Sequence, residues 1–330
     1  MKRQLLGVAA FMLALSAHAQ DNPLWMRYCA ISPDGTSIAF TYKGDIYTVP
    51  VNGGKAAQIT TNAAHDTHPV WSPDGKQIAF ASDRMGSMDI FVVDREGGIP
   101  KRLTTHSGNE TPVAFKDADH ILFLANVMPS AEDAQFPSGQ FQQVYEVSTT
   151  GDRPVMFSSM PMEDISINKT GNALLYHDKK GYEDPWRKHH TSSITRDIWL
   201  CSLDGKRSYR KLTSFNGEDR TPVWASDGKS FYYLSEEKGS FNVFKRALDG
   251  TSSTQLTHHT KHPVRFLTAA DNGTLCYGYD GEIYTMKEGT EPRKVQISIL
   301  TDKNDKDLIR QIRRNGATEI ALSPDAKEVA

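Results

Sequence analysis

One strand-turn-strand cassette recurs six times along the chain, and this repeat limits the possible folds. Its turn reads Ser-Pro-Asp-Gly at residues 32–35 and 72–75, and a seventh copy, Ser-Pro-Asp-Ala, begins at Ser323. Proline presets φ at the second position and glycine accepts a left-handed conformation at the fourth, so the cassette suits a tight turn between strands. Because the seventh copy is incomplete, we expect the sequence to be a piece of a longer protein.

A second marker in each cassette combines a polar residue, a β-branched residue and an aromatic residue, as in Asp45-Ile46-Tyr47. Its β-branched residues are Ile46, Ile90, Val144, Ile198, Val243 and Ile283. They are 44, 54, 54, 45 and 40 residues apart. A period of roughly 40–50 residues is typical of propeller blades, and the two longer intervals indicate insertions.

A further glycine turn and a closing strand, often ending in Leu-Thr, complete each unit. The sequence therefore predicts an all-β fold: a six-bladed β-propeller of four-stranded blades over residues 20–299. Runs of strands with almost no helical periodicity argue against an α/β fold. The strands run in phase from blade 1 to blade 6. We therefore expect the ring to close by side-chain packing between these blades and not by a shared sheet.

The first 19 residues have the pattern of a secretory signal peptide. Lys2 and Arg3 precede an apolar run, and Ala17-His18-Ala19 forms a small-residue cleavage site. We expect cleavage after Ala19 and a periplasmic or secreted mature chain. No other segment is apolar enough to act as a membrane anchor. The formal net charge is −2, with no long basic cluster, which argues against a nucleic-acid partner.

Three cysteines leave two readings open. Cys29 in blade 1 and Cys276 in blade 6 would be neighbours in a closed ring, so an exported chain could join them by a disulfide. The alternative is that both, like Cys201, are small buried strand residues. The second reading is favoured because the chain has no framework of paired cysteines.

The sequence contains no catalytic signature and suggests no cofactor. Two insertions lengthen blades 3 and 4, and the second carries a tryptophan followed by cationic or titratable residues. This pattern is able to hold a carboxylate or a peptide terminus, although an extended hairpin packed on a neighbouring blade explains it as well. The candidate peptide or partner contacts are Trp186, Arg187, Lys188, His189, His190 and Arg196. A metal site at His189 and His190 is not expected, because adjacent strand residues face opposite ways.

The end of the sequence indicates a domain boundary. Residues 300–316 are charged and then helix-like, and residues 317–330 begin a new cassette. We interpret these as a linker and the truncated first strands of a second propeller. The alternative, in which the last cassette is blade seven of one ring, fits less well because the linker interrupts the period.

The segment PVWSPDGKQIAF, residues 69–80, resembles the WD40-like repeats of TolB, prolyl-oligopeptidase and tricorn propellers, over most of residues 24–298. The linker before a second propeller and the Trp-Arg-Lys-His-His insertion are similar to bacterial tricorn homologues. That resemblance implies a non-catalytic N-terminal propeller, a channel or gate for peptides, in an exported, self-associating serine peptidase. The catalytic residues would then lie beyond residue 330. Two alternatives remain: a TolB-like periplasmic protein-binding propeller, and the propeller of a prolyl-oligopeptidase-type enzyme.

Overall fold

The computed structural model of the chain describes residues 23–126, 141–181 and 191–300, together with Ala321 and Pro324. The chain divides into two compact units, Met1–Ile299 and Leu300–Ala330. Within the first unit the described residues form strands and no helix. The predicted signal peptide lies outside the described residues, as do nearly all of the predicted linker and second propeller.

Blades 1 to 3 are built from consecutive antiparallel strands, with each inner strand first in the chain. Blade 1 contains β1 (Arg27–Ile31), β2 (Ser37–Tyr42), β3 (Asp45–Pro50) and β5 (Ala57–Gln58), with β4 (Gly54–Lys55) beside it. Blade 2 contains β6 (Asp66–Trp71), β7 (Gln77–Ser82), β8 (Asp89–Asp94) and β9 (Lys101–Arg102). Blade 3 contains β10 (Glu110–Phe115), β11 (His120–Ala125), β12 (Gln143–Ser148) and β13 (Val155–Ser158).

Blades 4 to 6 repeat the same order. Blade 4 contains β14 (Met162–Ile167), β15 (Ala173–Asp178), β16 (Ile198–Ser202) and β17 (Tyr209–Lys211). Blade 5 contains β18 (Asp219–Trp224), β19 (Ser230–Ser235), β20 (Asn242–Ala247) and β21 (Ser253–Gln255). Blade 6 contains β22 (Arg265–Ala269), β23 (Leu275–Tyr279), β24 (Glu282–Met286) and β25 (Arg293–Lys294), and β26 (Ile297–Ser298) follows it. The predicted all-β, six-bladed propeller of four-stranded blades is confirmed.

The Ser-Pro-Asp-Gly turns connect each inner strand to the next one, and their side chains explain why the residues recur. In blade 1 the Ser32 hydroxyl donates to the Asp34 carboxylate at 2.5 Å, and the Thr36 N–H donates to the same oxygen at 3.0 Å. Gly35 has φ of 71°, which a side chain would strain. In blade 2, Ser72 and Asp74 repeat the bond at 2.7 Å.

The Leu-Thr pairs lie just beyond the outer strands and fasten them to the third strand. The Thr104 hydroxyl accepts the Ile90 N–H at 2.8 Å, and the Thr257 hydroxyl accepts the Val243 N–H at 2.9 Å. Tryptophans link neighbouring blades: the Trp71 indole donates to the Ala30 carbonyl at 2.9 Å and the Trp224 indole to the Ser166 carbonyl at the same distance. The apolar cores lie between blades, as expected when each blade buries its faces against its neighbours.

The seam between blades 6 and 1 partly departs from expectation. The two four-stranded sheets remain separate, and a side-chain core that includes Cys29, Phe40, Cys276 and Ile283 fills the space between them. However, β26 also pairs in parallel with β4, so closure by side-chain packing alone was wrong. A glycine permits the close approach of these two distant segments. Gly53 has φ of 89° and brings the backbone so close that an added Cβ would lie 2.5 Å from the Gln296 carbonyl oxygen.

Candidate functional site

The six inner strands β1, β6, β10, β14, β18 and β22 each contact the inner strands of both neighbouring blades, so they surround the axis of the ring. Each has a register shift against the second strand of its blade, which marks a β-bulge. Five of the six carry a non-glycine residue in the left-handed region at this bulge. These residues, called here the axial ring, are Tyr28, His68, Asp164, Thr221 and Phe266, with φ between 48° and 58°.

A left-handed conformation costs a residue with a side chain about 1–2 kcal/mol. Blade 3 differs, because Pro112 lies at its bulge and the proline ring fixes φ at a negative value. Strained backbone that recurs at one level of a fold is a feature of functional sites. The five side chains of the axial ring are therefore the candidate functional site.

Aromatic side chains from blades 1, 2 and 6 form one arc of the axial ring. The ring centroid of Tyr28 lies 3.6 Å from that of His68 and 4.8 Å from that of Phe266. The Thr67 hydroxyl lies 3.1 Å from His68 Nδ1. Burial lowers the pKa of His68 to about 4, because it outweighs the Asp164 carboxylate, which acts to raise that pKa. The imidazole is therefore neutral near neutral pH.

Asp164 and Thr221, from blades 4 and 5, form a polar arc. The Thr221 hydroxyl donates to the Asp164 carboxylate at 2.6 Å, and 46% of the Asp164 side chain remains exposed. Burial raises the pKa of the Tyr28 hydroxyl, and Asp164 adds to that rise. The Asp164 carboxylate is thus hydrogen-bonded but still open to solvent.

Ion pairs among mostly buried side chains lie next to the polar arc. His177 Nε2 lies 3.2 Å from a Glu163 carboxylate oxygen, and Lys179 pairs with the other oxygen at 2.7 Å. Burial acts to raise the pKa of Glu163, but His177 and Lys179 outweigh it and hold that pKa well below its usual range. The Arg220 guanidinium pairs with Glu218 at 2.6 Å. The network reaches the polar arc directly, because His177 Nδ1 lies 3.5 Å from the Asp164 carboxylate.

Arg196 is the one predicted contact residue among those that the structure describes. It is buried, and its guanidinium pairs with Glu218 at 3.2 Å and with Glu163 at 3.6 Å. Arg196 therefore belongs to the network behind the axial ring, and contact with a peptide would require it to leave these pairs. The other predicted residues, Trp186, Arg187, Lys188, His189 and His190, lie outside the described residues, so their role stays a prediction. Their segment starts after Gly181 and ends before Thr191.

The axial ring was not predicted from the sequence, although a signal was present. In blades 2 and 5 the residue directly before the Pro-Val-Trp segment is a ring member, His68 or Thr221. Aligning the inner strands would have shown one column in which the residue type changes from blade to blade while its surroundings repeat. The left-handed backbone itself leaves no mark in the sequence, because the ring residues are not glycines.

Within residues 23–126, 141–181 and 191–300, no group of three His, Cys, Asp or Glu side chains is arranged to hold a metal ion. Over the same described stretches there is no helix of the length and apolarity needed to span a membrane. All three cysteines are buried and free.

Comparison with known proteins matches the chain to one family model and to several curated relatives. The family model "Tricorn protease N-terminal beta propeller domain" matches residues 23–292. Tricorn protease homolog 1 of Streptomyces coelicolor is 25% identical over 279 residues, covering 84% of this chain and 25% of that protein. The tricorn protease of Thermoplasma acidophilum is 24% identical over 295 residues, covering 86% and 26%. The chain therefore spans about a quarter of the length of these two relatives.

A solved structure agrees with the fold. The crystal structure of the tricorn protease superposes with a TM-score of 0.72 at 20% identity, covering 86% of this chain and 27% of that one. At this level of identity the superposition shows the shared propeller fold.

Proposed function

The chain belongs to the family of tricorn protease N-terminal β-propeller domains, and from this premise we propose that it is the non-catalytic, peptide-handling propeller of a tricorn-type serine peptidase. Its task is to form the passage that peptides traverse on their way to or from a catalytic chamber. The peptidase residues belong to a part of the parent protein beyond residue 330. The parent is a homo-oligomer, exported to the periplasm or the medium by residues 1–19.

The observation that carries the proposal is the axial ring. A propeller that only docked a partner on one face would have no need for strained, chemically diverse side chains at its axis. Here five blades place such side chains at the same level, and Tyr28 contacts its neighbours on both sides. An aromatic arc facing an exposed carboxylate suits a peptide, since a peptide offers apolar side chains and amide or ammonium donors together.

The blade 4 insertion fits the same role. It leaves β15 just after Lys179 and Lys180, and both lysines are ion-paired, Lys179 to Glu163 at 2.7 Å and Lys180 to Asp197. The base of the insertion is therefore tied to the network that supports Asp164. Trp186, Arg187, Lys188, His189 and His190 would then contact peptides that approach or leave the axis.

The experiment that tests this function widens the axial ring in the full-length parent. Tyr28→Ala combined with Phe266→Ala removes most of the aromatic arc. We expect the ratio of long-peptide to short-peptide turnover to change several-fold, because short peptides pass a narrow opening more easily than long ones do. Tyr209→Ala, which removes a partly exposed tyrosine from outer strand β17, is the matched control and should leave the ratio unchanged.

Two results would count against the proposal. One is an unchanged ratio in a double variant that is folded and assembled like the parent. The other is peptide cleavage by the present chain alone that a serine-directed inhibitor abolishes, because the propeller would then carry its own catalytic site.

A further inference from the structure

We propose that Cys29 and Cys276 form a latent disulfide site that, when oxidised, joins blade 6 to blade 1 and locks the ring at its seam. The site is a covalent modification of the propeller itself. It is independent of whether the parent is a peptidase, and it goes beyond the passage role proposed above.

The two thiols lie together although they come from opposite ends of the propeller sequence. Cys29 is in β1, the inner strand of blade 1, and Cys276 is in β23, the second strand of blade 6. Both are buried in the core that fills the seam, with 2% and 0% exposure. The strands that carry them, β1 and β23, contact each other across the seam, so both thiols pack in the same core.

The strands around the thiols hold this arrangement in place. The Ile31 N–H donates to the Thr268 hydroxyl at 3.1 Å across the seam, and Thr268 is the register partner of Cys276 in blade 6. The Cys29 thiol donates to the Phe266 carbonyl at 3.5 Å. Cys201, in contrast, lies in the blade 3–blade 4 core and is not part of this group.

The seam is the place where such a bond would matter most. The chain enters and leaves the ring there, so no covalent continuity connects blade 6 back to blade 1. The short β26–β4 pair and single bonds such as the Met26 N–H to the Gly281 carbonyl, 3.1 Å, supply the backbone contacts. A disulfide between residues so far apart in sequence would also remove a large amount of conformational freedom from the unfolded chain.

The chemistry is thiol–disulfide exchange with an external disulfide, either a small molecule or an oxidoreductase. One thiol, as thiolate, attacks the oxidant, breaks its S–S bond and releases one reduced thiol. The second cysteine then attacks the mixed disulfide, forms the Cys29–Cys276 bond and releases the second reduced thiol. Overall the protein loses two electrons and two protons, and the oxidant takes up both.

Burial controls when the exchange occurs. Burial raises the pKa of the Cys276 thiol, and the neighbouring Cys29 adds to the rise, so the reactive thiolate is scarce in the closed ring. The seam must open for an oxidant to enter. Closure then fixes a geometry in which Tyr28, next to Cys29 in the chain, contacts Phe266, whose carbonyl holds the Cys29 thiol.

Peptide mapping of the oxidised chain tests the site directly. The chain is purified under reducing conditions, incubated with oxidised glutathione, alkylated and digested with trypsin without reduction. We expect a disulfide-linked pair of peptides, residues 28–43 and 266–287, while the Cys201 peptide, residues 197–206, is alkylated. The midpoint of thermal unfolding should rise by roughly 5 °C and return after treatment with dithiothreitol.

Variants separate the site from general oxidation. Cys201→Ser should leave the cross-link and the shift intact, whereas Cys276→Ser should abolish both. Gly53→Ala should speed cross-linking several-fold, because its Cβ would collide with Gln296 and loosen the β26–β4 pair. The proposal would be overturned if Cys29 and Cys276 were both still alkylated after prolonged oxidation. This result would have to hold in the unsubstituted chain and in Gly53→Ala alike. A link from either residue to Cys201 in the folded chain would overturn the proposal as well.

Discussion

The two ends of each inner strand are built in different ways. At the turn end, where the strand enters its Ser-Pro-Asp-Gly turn, residue types repeat between blades and their bonds repeat with them, as at Asp34 and Asp74. At the bulge end the left-handed backbone repeats in five blades while the side chains differ, from Tyr28 to Asp164. The repeated turn side chains serve the structure of every blade. The side chains of the axial ring differ on a repeated backbone, which indicates a role in contacting a ligand at the axis.

The pKa values of the carboxyl groups also differ between the two ends of the inner strands. Hydrogen bonds from Ser32 and Ser72 lower the pKa values of Asp34 and Asp74, so the turns favour ionised carboxylates. At the start of two inner strands, burial raises the pKa values of Glu110 and Asp219 to about 7. Glu163 and Glu218 are exceptions at this end, because neighbouring cations hold their pKa values low despite burial. The carboxyl pKa values are thus shifted in the same direction in both turns, whereas at the bulge end the direction depends on the neighbouring side chains.

The largest effect on stability should come from disturbing a turn at the seam. In Gly35→Ala the residue keeps φ of 71°, and its Cβ would lie 2.3 Å from the Asn272 side chain of blade 6. We expect a loss of roughly 2 kcal/mol in the free energy of unfolding, combining strain with loss of the Asn272 contact. Denaturant unfolding measures it.

Gly75→Ala is the matched control for that variant, because it occupies the same turn position in blade 2 with φ of 68°. Its Cβ would meet only Pro33, at 3.7 Å. The expected loss is about 1 kcal/mol, from strain alone. Equal losses in the two variants would show that the seam contact contributes nothing to stability.

A smaller, pH-dependent effect should distinguish the carboxylates at the two ends. The folded-state pKa of Glu110 is raised, so its stabilising contribution is present below the unfolded value near 4.5 and is lost as the pH rises through about 7. Glu110→Gln should therefore stabilise the chain by about 1–2 kcal/mol at high pH and by less in mild acid. Thermal unfolding across this pH range measures the difference.

Asp34→Asn should behave in the opposite sense. The folded-state pKa of Asp34 is lowered, so its contribution is present above the unfolded value near 3.8 and is lost in stronger acid. Since the side chain is half exposed, the loss on substitution should stay below about 1 kcal/mol near neutral pH. A stability gain from Asp34→Asn near neutral pH would contradict the distinction between the ends.

The sequence predicted the parts of the molecule that local chemistry dictates. Turn residues such as Pro73 and Gly75, and the regular return of Ile90 or Ile198, are enough to predict strands, blades and their number. The β26–β4 pair was not predictable, because it depends on two segments meeting only after the ring has closed. The axial ring was not predicted for a related reason. The left-handed backbone at Tyr28 and Phe266 results from the bulge, and these residue types have no local preference for it.

Placing glycine at the aromatic arc tests whether the bulge end controls the passage of peptides while the turn end controls stability. Tyr28→Gly, His68→Gly and Phe266→Gly together keep the left-handed backbone without strain and remove the side chains. In the full-length parent we expect a several-fold change in the ratio of long-peptide to short-peptide turnover, with the propeller still folded. An unchanged ratio in a folded triple-glycine variant would contradict it.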